Sequence, residues 1–562
     1  MIEKIMKAVK SGNKKRGRNI TVGAVVGMLL SCTAVMGANE YLWIKNDGGI
    51  KFSTDNSTPT STENPYGENT WNGTDYVNNI ILNSTSSGYG LKLSGDLSGI
   101  NFTNNGLIAV TGNNLTCGIS NEGTIGDITN TGLITGTSTG NSYGNDGNGI
   151  YNNGTMGNIT NRGLIIGRNT GSQDGHGIYN DYRGNKIGNI INTGLIIGTN
   201  TGSGSSYGIY NSKTIGDITN IGMIAGIGNN FGDGIYNHAT SGYDTMGTIT
   251  NIGMITGVGE VLGRGIFLQG STTTTAICNE GLIIAQNGAP QGIVSGGTLI
   301  EGIINNGLIS LLNTDDRGSY GIWIMSSTAR NTIKNNGLII GRSINGENNC
   351  GIYNQGDGVR VSNIGSVVNI ATGTGNVYGI RNSNGHNSHI ASIVNSGLIT
   401  GTSTGSGTAY GIFNKLHQGN GGKIGDIANT GVIYGKTNTV KNETGGKINS
   451  LVNYGILTTE GNSIIDNTGT ITNTPTNYGL YIAEADGKVS FDDTKQSNSP
   501  VEIIVGHDDS GNEIKRNMTI KNAAISSGLA SGVGTSTDSF EFSGNSTEYD
   551  NSILNGKDKV LK

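Results

Sequence analysis

The stretch Ile128-Thr-Asn-Thr-Gly-Leu-Ile-Thr-Gly136 decides how the rest of the chain is read. With Gly132 as position zero, Ile stands at minus four, Asn at minus two, Leu at plus one and Ile at plus two. The same skeleton returns at Gly106, Gly163, Gly194, Gly222, Gly253, Gly281, Gly307, Gly337, Gly365, Gly397, Gly431 and Gly455, with successive copies 24 to 34 residues apart. Position minus two is Asn in each of them, from Asn104 to Asn453, and position plus two is Ile except at Val367 and Leu457. Positions of equal parity share one face of an extended chain, so this period of two is a strand signal, not a helical one.

Two further elements accompany the first. One is Gly149-Ile-Tyr-Asn152, repeated at Gly177, Gly208, Gly234 and Gly351 and varied at Gly265-Ile-Phe267, Gly321-Ile-Trp323 and Gly411-Ile-Phe-Asn414. The other is an apolar residue before glycine, as in Ile125-Gly126, Met156-Gly157 and Ile187-Gly188, closely upstream of the zero glycine. Three short strands and their turns within each repeat predict an all-β fold, a right-handed parallel β-helix (β-solenoid) built from 24–34-residue repeats. Stacking then explains the columns. Ile on Ile makes a dry core, each Asn bonds the turn backbone and the Asn of the next coil, and the zero glycine is expected to supply a turn conformation that a side chain would hinder. Length variation falls in the linkers, as between residues 136–148 and 226–233. Thirteen coils would make a rod of roughly 60 Å, or twice that if each repeat forms two coils.

Composition agrees with one elongated body. A chain of 562 residues with 97 Gly, 5 Pro and 13% charged residues does not describe ordinary globular cores. A net charge of −5 and no basic run beyond residue 18 argue against nucleic-acid binding. Cys32 lies in the N-terminal apolar segment, while Cys117, Cys278 and Cys350 are far apart, so neither a disulfide framework nor a zinc site is legible.

Four regions follow from these patterns. Residues 1–38 read as a secretory signal: seven Lys or Arg up to Arg18, an uncharged stretch from Asn19 to Asn39, and a small-residue end at Ala38. Retention as an anchor and acylation at Cys32, in Leu29-Leu-Ser-Cys32, are the competing expectations. Residues 39–90 read as a lead-in and cap, 91–470 as the β-helix repeats, and 471–562 as a more charged continuation with no series of barrel strands.

The basic signal, the start Asn39-Glu-Tyr-Leu-Trp-Ile44 and the two repeated motifs together resemble a type V autotransporter passenger, in particular the repetitive surface autotransporters of fusobacteria. The resemblance covers about residues 1–480. It implies export through the outer membrane of a Gram-negative bacterium and display at the cell surface, or release from it, as a structural and adhesive rod. Its partners would be host-cell, bacterial or glycan surface ligands. The family's C-terminal barrel translocator is not encoded in this chain, which suggests a truncated or split product, and a non-functional gene fragment is one reading of that.

An enzyme is the alternative, because parallel β-helices include polysaccharide lyases and hydrolases. Asn313-Thr-Asp-Asp316 with Arg317, and Gly175-His-Gly177, echo pectin-degrading hydrolases, where paired carboxylates act as acid and base. Here their order is reversed and they stand about five coils apart, too far to share one sugar bond. His386 and His389 lack further ligands, and His238, His417 and His507 fall in or beside loops. The segment from His507 to Glu513 lacks the acidic nonapeptide repeat of calcium-loaded rolls. No GxSxG nucleophile motif occurs. No catalytic, cofactor-binding or metal residue is therefore assigned and no cofactor is expected; the rings of the Gly-Ile-Tyr-Asn elements could contact glycans if they point outward, but packing between coils is the commoner fate of such a stack.

Overall fold

The structure, a computed structural model, describes residues 41–485 apart from 56, 86–87, 185, 240–243, 271–272, 326–330, 345, 347, 384–387, 416–421 and 462, and beyond them the strand backbones 488–490, 501–507, 513–520 and 542–543. The signal, Cys32, His386, His417 and the loop after His507 lie outside the described residues.

Among the described residues there is no helix, and the strands stack in parallel as a β-solenoid of about 14 turns with a repeat spacing of about 28 residues. Each turn has three faces. In one turn, Thr155–Met156 and Ile159–Asn161 form face 1, Leu164–Asn169 forms face 2 and Gly175–Asn180 forms face 3. Leu133–Ser138 pairs in register with Leu107–Gly112 on one side and Leu164–Asn169 on the other. Consecutive repeats are thus consecutive coils, one coil per repeat, and the rod is roughly 65 Å long at ~4.8 Å per turn.

Inward positions match the sequence pattern. Ile128, Ile134 and Ile150, with Ile125 from the first half of face 1, are buried, and their equivalents continue along the rod as one apolar core. Next to that core runs an uninterrupted amide ladder. From Asn78 to Asn477, each minus-two Asn donates from Nδ2 to Oδ1 of the next at 2.7–2.9 Å. Asn130 also donates to Gly132 O in its own turn and to Leu164 O in the next coil. An amide buried without partners would cost about 1–3 kcal/mol, and this arrangement satisfies it in every coil after the first, where Asn78 Oδ1 has no donor.

The zero glycine does something other than the sequence suggests. None of these glycines has a positive φ. Instead, a Cβ on Gly132 would stand 2.0 Å from Gly106 O in the neighbouring coil, and one on Gly163 or Gly194 would meet the same obstacle at 2.0 Å. Glycine is required by the close approach of stacked corners rather than by a dihedral angle. The parity argument also stops there: minus four, minus two and plus two point inward, whereas position zero faces the adjacent coil.

A second ladder was not foreseen. The Asn that ends face 3 links Asn121, Asn152, Asn180, Asn211 and Asn237 at 2.7–2.8 Å. It resumes through Asn354, Asn382, Asn414, Asn442 and Asn467. On the outer side of face 1, side-chain oxygens of Asn101, Asp127, Asn158, Asn189 and Asp217 each accept from the backbone N–H of the equivalent residue one coil on. At the N-terminal end, Leu42–Asn46 pairs in parallel with Tyr89–Leu97 and antiparallel with Ile50–Ser53. Phe52, Trp71, Tyr76 and Phe102 pack there with ring centroids 5.8–6.3 Å apart and cover the first Ile layers.

Candidate functional site

Outward side chains and corner loops are what a partner can reach, and the three corners differ. The corner from face 1 to face 2 is two residues in every coil, as at Thr131-Gly132, Arg162-Gly163 and Tyr478-Gly479. The corner from face 2 to face 3 ranges from the pairs 229–230, 260–261 and 436–437 to the loops 139–146 and 313–319. The corner from face 3 back to face 1 ranges from 153–154 and 212–213 to 325–331 and 415–422. The long insertions therefore border face 3, while face 1 varies by only one or two residues, as between Leu97 and Phe102 and at Thr274/Ala276. The first ladder runs beside the invariant face 1–face 2 corner, whereas the second ladder continues through Asn382, Asn414 and Asn442 beside a corner that varies in length, so a ladder alone does not set corner length.

Face 3 carries the aromatic residues. In Gly175–Asn180, Ile178 and Asn180 point inward, and Tyr179 lies on the opposite side of the sheet. His176 stacks on Tyr179 at 4.6 Å, so it shares that outer side. The rings are engaged with one another along the rod: Tyr179 with Tyr210 at 5.1 Å, Tyr210 with Tyr236 at 5.0 Å, Tyr207 with Tyr236 at 5.3 Å, and Tyr236 with Phe267 at 5.1 Å. Tyr151, Tyr207 and Phe267 are 5%, 6% and 8% exposed. Sugar stacking needs an open ring face, and here neighbouring rings occupy the faces. The rings point outward, yet they serve the stack.

Their polar tips latch successive coils. Tyr151 Oη donates to Asp181 Oδ2 at 2.6 Å, Arg183 Nε donates to the same oxygen at 2.9 Å, and Trp323 Nε1 donates to Gln355 Oε1 at 2.9 Å. Arg264 holds Asp233 through two parallel bonds of 2.8 and 2.7 Å, with its guanidinium 3.8 Å from the Phe267 ring centroid. Burial raises the Asp233 carboxyl and Arg264 opposes that shift. Burial drives His176 down to about 3, so its imidazole is neutral at physiological pH.

The residues singled out for chemistry are not brought together. Asp315, Asp316 and Arg317 lie in the 313–319 corner, where Arg317 N donates to Asp315 Oδ1 at 2.8 Å and Arg317 Nη1 donates to Val261 O at 2.7 Å. His176 is buried in face 3 five coils away, roughly 24 Å along the axis. His389 pairs with Asp357 at 3.1 Å and His238 with Tyr210 at 3.3 Å. Cys117 and Cys350 are buried, and burial pushes the Cys350 thiol up to about 12. Among the described residues no group of three His, Cys, Asp or Glu could hold a metal ion. Compared with protein-family models, with curated proteins and with solved structures, the chain matches none.

Proposed function

We propose that this protein is an exported rod of the autotransporter-passenger type, displayed at or released from the surface of a Gram-negative bacterium, and that it works as a structural and adhesive element. The observation that carries this reading is the confinement of the long insertions to the two corners bordering face 3. A frame fixed by ladders and Ile columns can carry loops of any length at those corners without disturbing the core. The contacts are assigned to loops such as 139–146 and 313–319, facing host-cell, bacterial or glycan ligands, and not to the self-packed rings. The repetitive strands, the N-terminal basic segment and the apolar stretch after it support export. The test is binding of the purified protein to glycan arrays and to host or bacterial cells. Saturable binding that shortening of the 139–146 and 313–319 loops abolishes is expected. Saturable cleavage of a polysaccharide, lost in Asp315→Asn or Asp316→Asn, would replace this reading with an enzymatic one.

A further inference from the structure

The second ladder is not continuous, and several other features change at the same level. Asn237 stands in register with Leu268, which is followed by Ser295, Ile324 and then Asn354. The three replacements are buried, and Asn237 Nδ2 is left buried with no partner. Ser295 Oγ turns to its own corner and donates to Gly297 O. The outer ring column is broken at the same place, because Val294 stands between Phe267 and Trp323.

Face 2 changes too. Its fourth position is Val110 in one early coil, Gly136, Gly167, Gly198, Gly226 and Gly257 in the next five, then Ala285 and Leu311, and after Gly341 it is Asn369 before glycine returns at Gly401 and Gly435; between Gly136 and Gly435, only at Ala285 and Leu311 do two successive coils lack it. A Cβ on Gly167 would lie 1.7 Å from His176 O, yet Leu311 is 1% exposed. Faces 2 and 3 therefore leave room at Leu311 for a side chain that they do not leave at Gly167, as they also do at Val110 and Asn369. Register irregularities in face 1 fall at Thr274/Ala276 and at Val359/Arg360, close to the two borders of this zone. The first ladder passes through unbroken, from Asn251 through Asn279, Asn305 and Asn335 to Asn363, and so do the Ile columns, as from Ile266 through Ile293 and Ile322 to Ile352.

We infer that the coils carrying Leu262–Gly270, Gln291–Ser295 and Tyr320–Ile324 form a joint that divides the rod into two cooperative blocks, with the corner between faces 1 and 2 as its spine. In a stacked repeat, stability is a sum of coil terms and nearest-neighbour terms, so an opening boundary settles where the neighbour terms are weakest. Here the second amide ladder lapses across three coils, the ring column is interrupted at Val294 and face 2 lacks its glycine at Ala285 and Leu311, while the spine keeps the blocks aligned. Each block keeps a continuous second ladder of its own, Asn121 to Asn237 in one and Asn354 to Asn467 in the other.

Amide hydrogen exchange on the full chain tests the joint. Protection in Gln291–Ser295, Leu308–Leu312 and Tyr320–Ile324 is expected to be about tenfold or more below that in Gly175–Asn180 and Val377–Asn382, since one lost buried hydrogen bond per coil already changes local opening by roughly that factor. Equal or higher protection in the central coils would overturn the inference. The triple variant Leu268→Asn/Ser295→Asn/Ile324→Asn rebuilds the ladder and should narrow the contrast; an unchanged contrast in a folded variant would remove the ladder gap as its cause. The wild-type profile decides the matter should that variant not fold.

Discussion

Replacing Asn220 with Leu perturbs the frame at one point and leaves every loop untouched. Asn220 Nδ2 donates to Gly222 O, Asn251 Oδ1 and Met254 O at 3.3, 2.8 and 2.9 Å, and its Oδ1 accepts from Asn192 Nδ2 at 2.8 Å. Leucine makes none of these bonds. Asn192 Nδ2 keeps Met223 O as an acceptor at 3.0 Å, but Asn251 Oδ1 loses the donor that reaches it from Asn220. Four bonds at about 1 kcal/mol net each give about 4 kcal/mol, and the added apolar burial returns about 1–2 kcal/mol. The expected destabilisation is about 2–3 kcal/mol. Urea unfolding followed by circular dichroism, with hydrogen exchange to localise the loss to coils near Asn220, measures it. The isosteric Asn220→Asp, which keeps the volume but removes the amide donors, should cost at least as much at neutral pH. An unchanged midpoint in both variants, or lost adhesion with an intact melting curve, would refute the reasoning.

Gly222→Ala should destabilise by about 1–3 kcal/mol, because its Cβ would stand 2.0 Å from Gly194 O, whereas Gly99→Ala, with nothing within 4 Å, should be close to neutral by the same melt. Arg264→Met strands the buried Asp233 carboxylate and should cost about 3–5 kcal/mol at pH 7; adding Asp233→Asn should recover much of it. Burial, helped by the neighbouring Asp174, raises Asp146 to about 7 from an unfolded value near 3.8, so the folded state binds more protons between those values and stability falls as pH rises through that window. Asp146→Asn should flatten that part of the pH–stability curve and stabilise the protein above pH 7; an unchanged curve would show that the carboxyl is not perturbed.

The frame was legible because stacking in register writes itself into the sequence: a buried amide or Ile column demands the same residue at the same offset in coil after coil. The coils at Asn130 and Ile134 carry that demand directly. The second ladder carried an equal signal in the Asn that ends each Gly-Ile-Tyr-Asn element, but a residue next to an aromatic draws attention to the ring rather than to the amide. The role of the zero glycine was not legible, since close approach and left-handed backbone both select glycine and only the 2.0 Å separation from Gly106 O distinguishes them. Spacing alone does not reveal how the face 3 rings are used, because an outward ring can meet a ligand or its own neighbours. Here Tyr179, Tyr210 and Tyr236 meet one another. The joint was hidden for a related reason: the main motif continues through Gly281, Gly307 and Gly337 while the second ladder lapses beside it.

The central claim is that the ladders and Ile columns make the frame while function resides in the loops bordering face 3. Its most direct test compares host-cell and glycan binding of the full chain with that of a variant lacking the exposed or half-exposed loop residues 142–144 and 314–316, with Asp146, Asn313 and Ser319 kept. The account predicts lost binding with an unchanged melting curve. Binding retained at full strength by the loop-trimmed rod would contradict it.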